Sequence, residues 1–328
     1  MMYALSKTLV SQAVAQSIVA THFGSESKVH RYTELTDGMY NAAYLIELSD
    51  GQKMVLKVAP LDRVKVLHYE KDIMRAEVDV LRLLRARTGV PVPNVLAYDT
   101  SRRLLDNDYY LMDYVPGVSL HKLRPSLSDQ EQYGIDFRTG EYLHQINAVS
   151  GECFGYFAQP EYCYPTWRQA FDTMLRHVLA DGREAGVELP LPYDDTYARL
   201  TKHYVSLDEI VTPALVHWDL WDGNIFIDPG TKRITGILDC ERALWGDPLM
   251  EVNFGAFGVN PALLDGYGLD LLGTPTARTR RSLYNVYLWL IMIIECTYRQ
   301  YATRDQENWV RPKFVEEMEK LEAGDAGG

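Results

Sequence analysis

The chain is poor in the features that mark several broad protein classes. Only four of its 328 residues are cysteine (Cys153, Cys163, Cys240 and Cys296), and no two form a C-x-x-C pair. That spacing argues against zinc ribbons and thioredoxin-like motifs. Four reduced thiols in a cytoplasmic protein are expected, not a disulfide framework. Long apolar runs are missing as well. The longest, residues 286–294, stops at Glu295, far short of the roughly 20 residues that span a bilayer. It reads as a buried helix, and no membrane segment is expected. The first residues lack the basic start and unbroken apolar stretch of a signal peptide. Leu9, Val10, Val14, Ile18 and Val19 recur there at helical spacing instead. Basic excess is also absent: 33 Lys and Arg face 45 Asp and Glu, a net charge of −12. Nucleic acid is therefore excluded as an expected partner.

The acid is unevenly placed. Residues 1–118 hold 14 basic and 14 acidic side chains, and residues 119–328 hold 19 and 31. The field over the second part would favour a cationic small molecule, although acidic charge also serves solubility alone.

Local pattern changes at about the same place. Residues 43–48 and 53–58 read as strands joined by a turn at Ser49-Asp50-Gly51. Residues 68–87 read as one helix with Ile73, Val80, Leu81 and Leu84 on a common face, and residues 94–99 and 109–114 as two more strands. Pro116-Gly117 marks a linker. Beyond it, helical patterns cover residues 128–148, 166–185, 193–206 and 276–301, interrupted by short strand-like runs over 213–238. The expected fold is α+β and two-lobed, with a β-rich lobe over residues 1–117 and a mainly helical lobe over 118–328.

The interrupting stretch carries the chemistry. His217-Trp218-Asp219 is followed by Asn224, and Asp239 ends the next apolar run. Asp219 has the place of a carboxylate that orients an attacking hydroxyl and accepts its proton. Asn224 offers an amide oxygen, and Asp239 a carboxylate, as hard ligands for Mg2+. His217 is expected to bond backbone and fix the loop. Lys57 stands in the apolar run Met54-Val55-Leu56-Lys57-Val58, where an ammonium needs an anion, and nucleotide phosphates would supply one. Glu77 falls on the apolar stripe of the 68–87 helix, so it needs a cation; Lys57 is the natural partner and Glu70 the runner-up. Gly38 and Asn41, in the segment before the first strand pair, are candidates to cover phosphates. Met112, with the backbone of Asp113 and Val115, would form a hinge that reads an adenine edge.

These pieces resemble the aminoglycoside phosphotransferase and choline kinase group, a branch of the protein-kinase-like fold. The resemblance runs in order from about Leu35 to Glu251. It takes in Gly38, Asn41, Lys57, Glu77, Pro116-Gly117, His217-x-Asp219, Asn224, Asp239 and Gly246-Asp247-Pro248, with Trp167 to Phe171 following Gly155-Tyr156. It implies ATP or GTP bound between lobes with two Mg2+ ions, and a small-molecule hydroxyl acceptor lying over the acidic lobe. An aminoglycoside is the leading acceptor, which would make the protein a determinant of antibiotic resistance. Choline or another amino alcohol, a sugar, a macrolide and homoserine are alternatives. A monomer or homodimer is expected.

Two departures concern the acceptor. Trp218 replaces a small residue, and Trp221 lies two past the base. With Asp222, these are the residues expected to shape acceptor choice. Cys240-Glu241 follows Asp239 where protein kinases have Phe-Gly, and Glu241 becomes a further ligand or a substrate contact. Asp172, Glu251 and Glu295 complete the candidate acidic contacts, with pairing to Arg299 as the other reading of Glu295. A catalytically silent nucleotide sensor is the competing class. A protein kinase is a third class; against it, the short span from Asp239 to Gly246-Asp247-Pro248 leaves no room for a long activation segment.

Overall fold

Strand alternation sets the first half of the molecule. The computed structural model describes residues 8–36, 41–61, 63–301 and 303–324. Helix α1 (Gln12–Phe23) leads into β1 (Val29–Leu35), β2 (Ala42–Leu48) and β3 (Lys53–Val58); helix α2 (Ile73–Arg87), β4 (Val95–Asp99) and β5 (Tyr109–Asp113) follow. The five strands form one antiparallel sheet in the order β1-β2-β3-β5-β4. Met54, Leu56 and Val58 of β3 pack with Ile18 and Val19 of α1 on one face. Val55 packs on the other face, with Val78, Leu81 and Leu84 of α2. Side chains two apart share a face, so Lys57 is delivered to the α2 side.

The helix expected over 68–87 is in two pieces. His68–Glu70 forms a separate 3-10 turn, and Asp72 enters α2 with a left-handed φ of 56°. Other partners hold that turn away from the helix axis: the backbone N–H of His68 donates to Asp181 Oδ2 at 2.9 Å, and Arg299 donates to Glu70. Strand β1 was not expected. Its exposed His30, Arg31 and Thr33 hide a half-buried Tyr32 stacked on Tyr44.

The chain crosses into the second half at Gly117, with φ 122°. A Cβ there would lie 2.5 Å from the Ile227 carbonyl oxygen, so only glycine fits. Strand β6 (Val118–Ser119) and helix α3 (Leu120–Leu123) come next, then α4 (Asp129–Asn147), β7 (Gly155–Tyr156), α5 (Trp167–Glu184) and α6 (Tyr193–Thr201). Ser128 and Glu131 cap α4 reciprocally, and Thr166 caps α5, which sets both starts where the sequence suggests them. The pattern expected through residue 206 leaves the α-helix at Thr201 and continues as a 3-10 turn, Tyr204–Glu209. Short strands β8 (Ala214–Val216), β9 (Ile225–Ile227), β10 (Ile234–Ile237), β11 (Leu244–Gly246), β12 (Phe254–Gly255) and β13 (Gly258–Val259) precede α7 (Pro261–Tyr267), α8 (Pro275–Arg299) and α9 (Asp305–Glu322). Helices α7 and α9 were not expected; α9 carries Pro312 in its interior, a residue that argues against helix in a sequence. The architecture is α+β, a β-rich N-terminal region followed by a helical C-terminal region. None of the helices among the described residues is long and apolar enough to cross a membrane.

The expectation of four reduced thiols is corrected. Cys153 and Cys163 form a disulfide, with their Cα atoms 5.4 Å apart. Phe154 and Tyr164 exchange two backbone hydrogen bonds of 2.9 Å, which draws the flanking cysteines together. The closed loop contains β7, which pairs with β11. Cys240 and Cys296 are free.

Candidate active site

Lys57 is the junction of the site. Its Nζ donates to both oxygens of Glu77 at 2.8 and 2.7 Å, and to Asp239 Oδ1 at 2.9 Å. Burial works against the charge on Lys57, but Asp239 and Glu77 outweigh it and hold the ammonium above its ordinary pKa. Burial likewise pushes Asp239 up, and Lys57 reverses this, keeping the carboxyl below its usual range. Glu241 is buried next to them and accepts from Asn41 Nδ2 at 2.6 Å; burial pushes its carboxyl well above the usual range. Carboxylate oxygens of Glu77, Asp239 and Glu241 lie within 4.8 Å of one another. Hard oxygen donors in such a cluster suit Mg2+. The other amide atom of Asn41, Oδ1, is buried with no hydrogen-bond partner among the described residues.

The loop after β8 is held from below by Glu251. One of its oxygens accepts the His217 N–H at 2.7 Å, the other the Trp218 N–H at 2.8 Å, and Asn147 Nδ2 adds a bond of 3.1 Å. His217 sits 3.1 Å from the Leu238 carbonyl through Nε2, while the Asp219 N–H donates to its Nδ1 at 3.3 Å. A single neutral tautomer, protonated on Nε2, satisfies both contacts, and burial lowers the imidazole pKa in agreement. His217 thus ties the 217–219 loop to the strand end that carries Asp239.

Asp219 projects beside Asn224. The Asn224 amide nitrogen donates to the Asp219 carbonyl at 2.8 Å, which turns its Oδ1 away and leaves that atom as the ligand this residue can offer. Burial pushes the Asp219 carboxyl up to about 6, moderated by Arg242, whose Nε lies 4.0 Å from Oδ2.

The remaining expected residues separate into two groups. Met112 and Val115 are buried at the end of β5. The Asp113 N–H donates to the Asn94 carbonyl at 3.0 Å, so that half of its backbone is already used. Gly38 lies outside the described residues. Among the acceptor candidates, Trp218 is buried: its left-handed backbone (φ 65°) sends the indole onto Tyr287, stacked at 5.6 Å, with Tyr69 at its edge. Trp221 is 47% exposed. Asp222 is held by Arg124, which also binds Asp136. Asp172 accepts from Arg176 and Tyr197, both at 2.7 Å, and Glu251 supports the loop rather than facing an acceptor. Glu295 accepts from Gln306 at 2.7 Å. Arg242 went unnoticed in the sequence; its signal was a charged Glu241-Arg242 pair inside an otherwise apolar stretch.

The profile of the phosphotransferase enzyme family matches residues 31–283, a span that contains every residue above from Asn41 to Glu251. The chain belongs to the phosphotransferase enzyme family. Among curated relatives, "Probable acyl-CoA dehydrogenase IBR3" of Arabidopsis thaliana is 23% identical over 240 residues, 71% of this chain and 28% of that protein. The chain therefore spans little more than a quarter of that relative's length. "Probable ketoamine kinase VP1481" of Vibrio parahaemolyticus is 25% identical over 282 residues, 84% of this chain and 90% of the relative. Solved structures of the same fold include a Thermobifida fusca protein provisionally named a fructosamine-3-kinase, with TM-score 0.66 and 21% identity over 96% of this chain and 100% of that one. The GDP complex of aminoglycoside 2'-phosphotransferase-IIIa gives a TM-score of 0.63 at 18% identity, covering 96% of this chain and 100% of that one. The two-lobed, kinase-like fold expected from the resemblance is the fold of the family.

Proposed function

We propose that this protein is a small-molecule kinase, moving the γ-phosphoryl group of ATP or GTP to an acceptor hydroxyl. The observation that carries the reading is the meeting of Asp219, Asn224, Asp239 and the Lys57–Glu77 pair in one region, with an ammonium bonded to both halves of the molecule. Lys57 binds triphosphate oxygens, oriented by Glu77. Asp219 accepts the hydroxyl proton as the oxygen attacks phosphorus. Asn224 Oδ1 and Asp239 would hold Mg2+, which would supply positive charge against the phosphates. Asn41 covers the nucleotide from the first lobe, and Met112 and Val115 line the base. Residues 1–117 form the nucleotide lobe, and residues 118–328 the acceptor lobe.

The protein acts as a monomer or homodimer in this reading. The location in this reading is cytoplasmic, supported by the free thiols of Cys240 and Cys296 and opposed by the Cys153–Cys163 disulfide. Aminoglycosides and ketoamines are the first acceptors to test, given the relatives. A hydroxyacyl group joins them, because a relative named as an acyl-CoA dehydrogenase shares this region.

The test is ADP or GDP release with Mg-nucleotide across an acceptor panel, with Asp219→Asn as control. Acceptor-stimulated turnover well above that control supports the reading. A protein that binds nucleotide yet releases no diphosphate with any acceptor is a silent sensor instead.

A further inference from the structure

Resting on the kinase reading, one basic group in the site stands apart. Every other deeply placed arginine is spent on partners. Arg124 binds Asp136 and Asp222. Arg280 binds Asp247, and Arg281 binds Asn285 and the Glu251 carbonyl. Arg299 binds Glu70. Arg242 makes no hydrogen bond among the described residues. It lies over the Tyr69 ring, Cζ 5.5 Å from the centroid, with Nε 4.0 Å from Asp219 Oδ2. Its side chain keeps 24% of its surface open.

A guanidinium has five N–H donors in a rigid fork. Leaving that fork unpaired in a recess is unfavourable unless an acceptor arrives with the ligand. Its nearest charged neighbour is the proposed base, the group that must touch the reacting hydroxyl. A cationic acceptor would meet a fixed positive charge there, and several acids of the lobe are already paired with arginines. Asp222 and Asp172, the acids nearest in kind to an amine-binding wall, are both paired.

We propose that Arg242 binds a carboxylate on the acceptor, so that the preferred substrates are hydroxy acids whose reacting hydroxyl lies a few bonds from that carboxylate. The planar fork fits a carboxylate in two-point contact, and the Tyr69 ring beneath the guanidinium holds it in place. The anion also compensates Arg242 when the Asp219 carboxylate takes up the hydroxyl proton.

Matched acceptors differing only in the carboxylate test this: 3-hydroxybutyrate against 1,3-butanediol, and N-fructosylglycine against N-fructosylmethylamine. Turnover and calorimetric binding are measured for each on the parent, Arg242→Gln and Arg242→Lys, with thermal melts to confirm folding. The expected result is a preference of about 30-fold or more for the acid in at least one pair, abolished by Arg242→Gln and partly retained by Arg242→Lys. The loss falls on the acceptor KM and leaves the nucleotide KM unchanged. A raised nucleotide KM with an unchanged acid preference overturns the proposal, because Arg242 then serves the triphosphate. Equal use of acid and neutral partners in both pairs also overturns it. Turnover at the Asp219→Asn level with every acceptor defeats the kinase reading separately; the calorimetric comparison of the pairs then judges Arg242 by the same criterion.

Discussion

Lys57 and Asp239 stand 182 positions apart in the chain and meet at 2.9 Å. Glu77 closes the same contact from α2. Replacing Lys57 with methionine strands the buried Glu77 carboxylate and takes the cation from the part-exposed Asp239. Breaking a buried pair in this way costs about 3–5 kcal/mol, read as a lower urea midpoint. The double change Lys57→Met with Glu77→Leu is expected to recover part of the stability and none of the nucleotide affinity. Parent-like nucleotide binding by the double variant in calorimetry contradicts the role given to Lys57.

Asp219 is part-buried, and its carboxyl is disfavoured as an anion. Asp219→Asn should therefore leave stability unchanged or slightly raised while turnover falls about 10²–10⁴-fold. A melting temperature well below the parent's would mean that the charge is structural.

Glu251 joins two consecutive backbone N–H groups, at His217 and Trp218. Glu251→Gln replaces one acceptor oxygen with a donor and leaves one N–H unmet. A loss of roughly 2–3 kcal/mol is expected, with kcat falling more than either KM, because the loop that aims Asp219 loosens. Unchanged kcat in a folded variant rules this out.

Acid sensitivity should come from His177, stacked on His68 at 4.7 Å. Burial, aided by His68 and Lys71, pushes its pKa down to about 4. The unfolded chain takes up the proton near 6.5. Between these values the unfolded state binds more protons, so stability falls as pH drops from about 6.5 to about 4. Because the ring is half-buried, the effect is on the order of 1–2 kcal/mol. His177→Gln should flatten that part of the urea-midpoint profile; an unaltered slope would refute the assignment.

The Cys153–Cys163 loop closes over a sequence separation of 10. Chain entropy puts its contribution at about 2–3 kcal/mol. A thiol reductant should lower the parent's melting temperature by the same amount as Cys163→Ser, and should not affect that variant further.

Much of this arrangement follows from local periodicity. Lys57 points at α2 because Val55 does, and Glu77 lies on the stripe that packs against Val55. Long-range choices left no such trace. Arg299 comes from 229 positions away to take Glu70, a partner that the near spacing of Glu295 and Arg299 in α8 does not suggest. Asp222 reads as a free acid until Arg124 arrives from 98 positions earlier. Trp218 reads as a substrate wall from its place beside the base; the left-handed turn held by Glu251 sends the indole into the core instead. The cysteines were misjudged because the two backbone bonds between Phe154 and Tyr164 have no sequence signature.

The sharing of one ammonium between Glu77 and Asp239 also makes two binding events reciprocal. A phosphate that draws Lys57 off Asp239 releases that carboxylate for a divalent ion. An ion that occupies Asp239 equally releases Lys57 for phosphate. The factor by which either ligand strengthens the other must be the same in both directions, so nucleotide and metal titrations, each done with and without the second ligand, should close a thermodynamic square whose coupling vanishes in Lys57→Met.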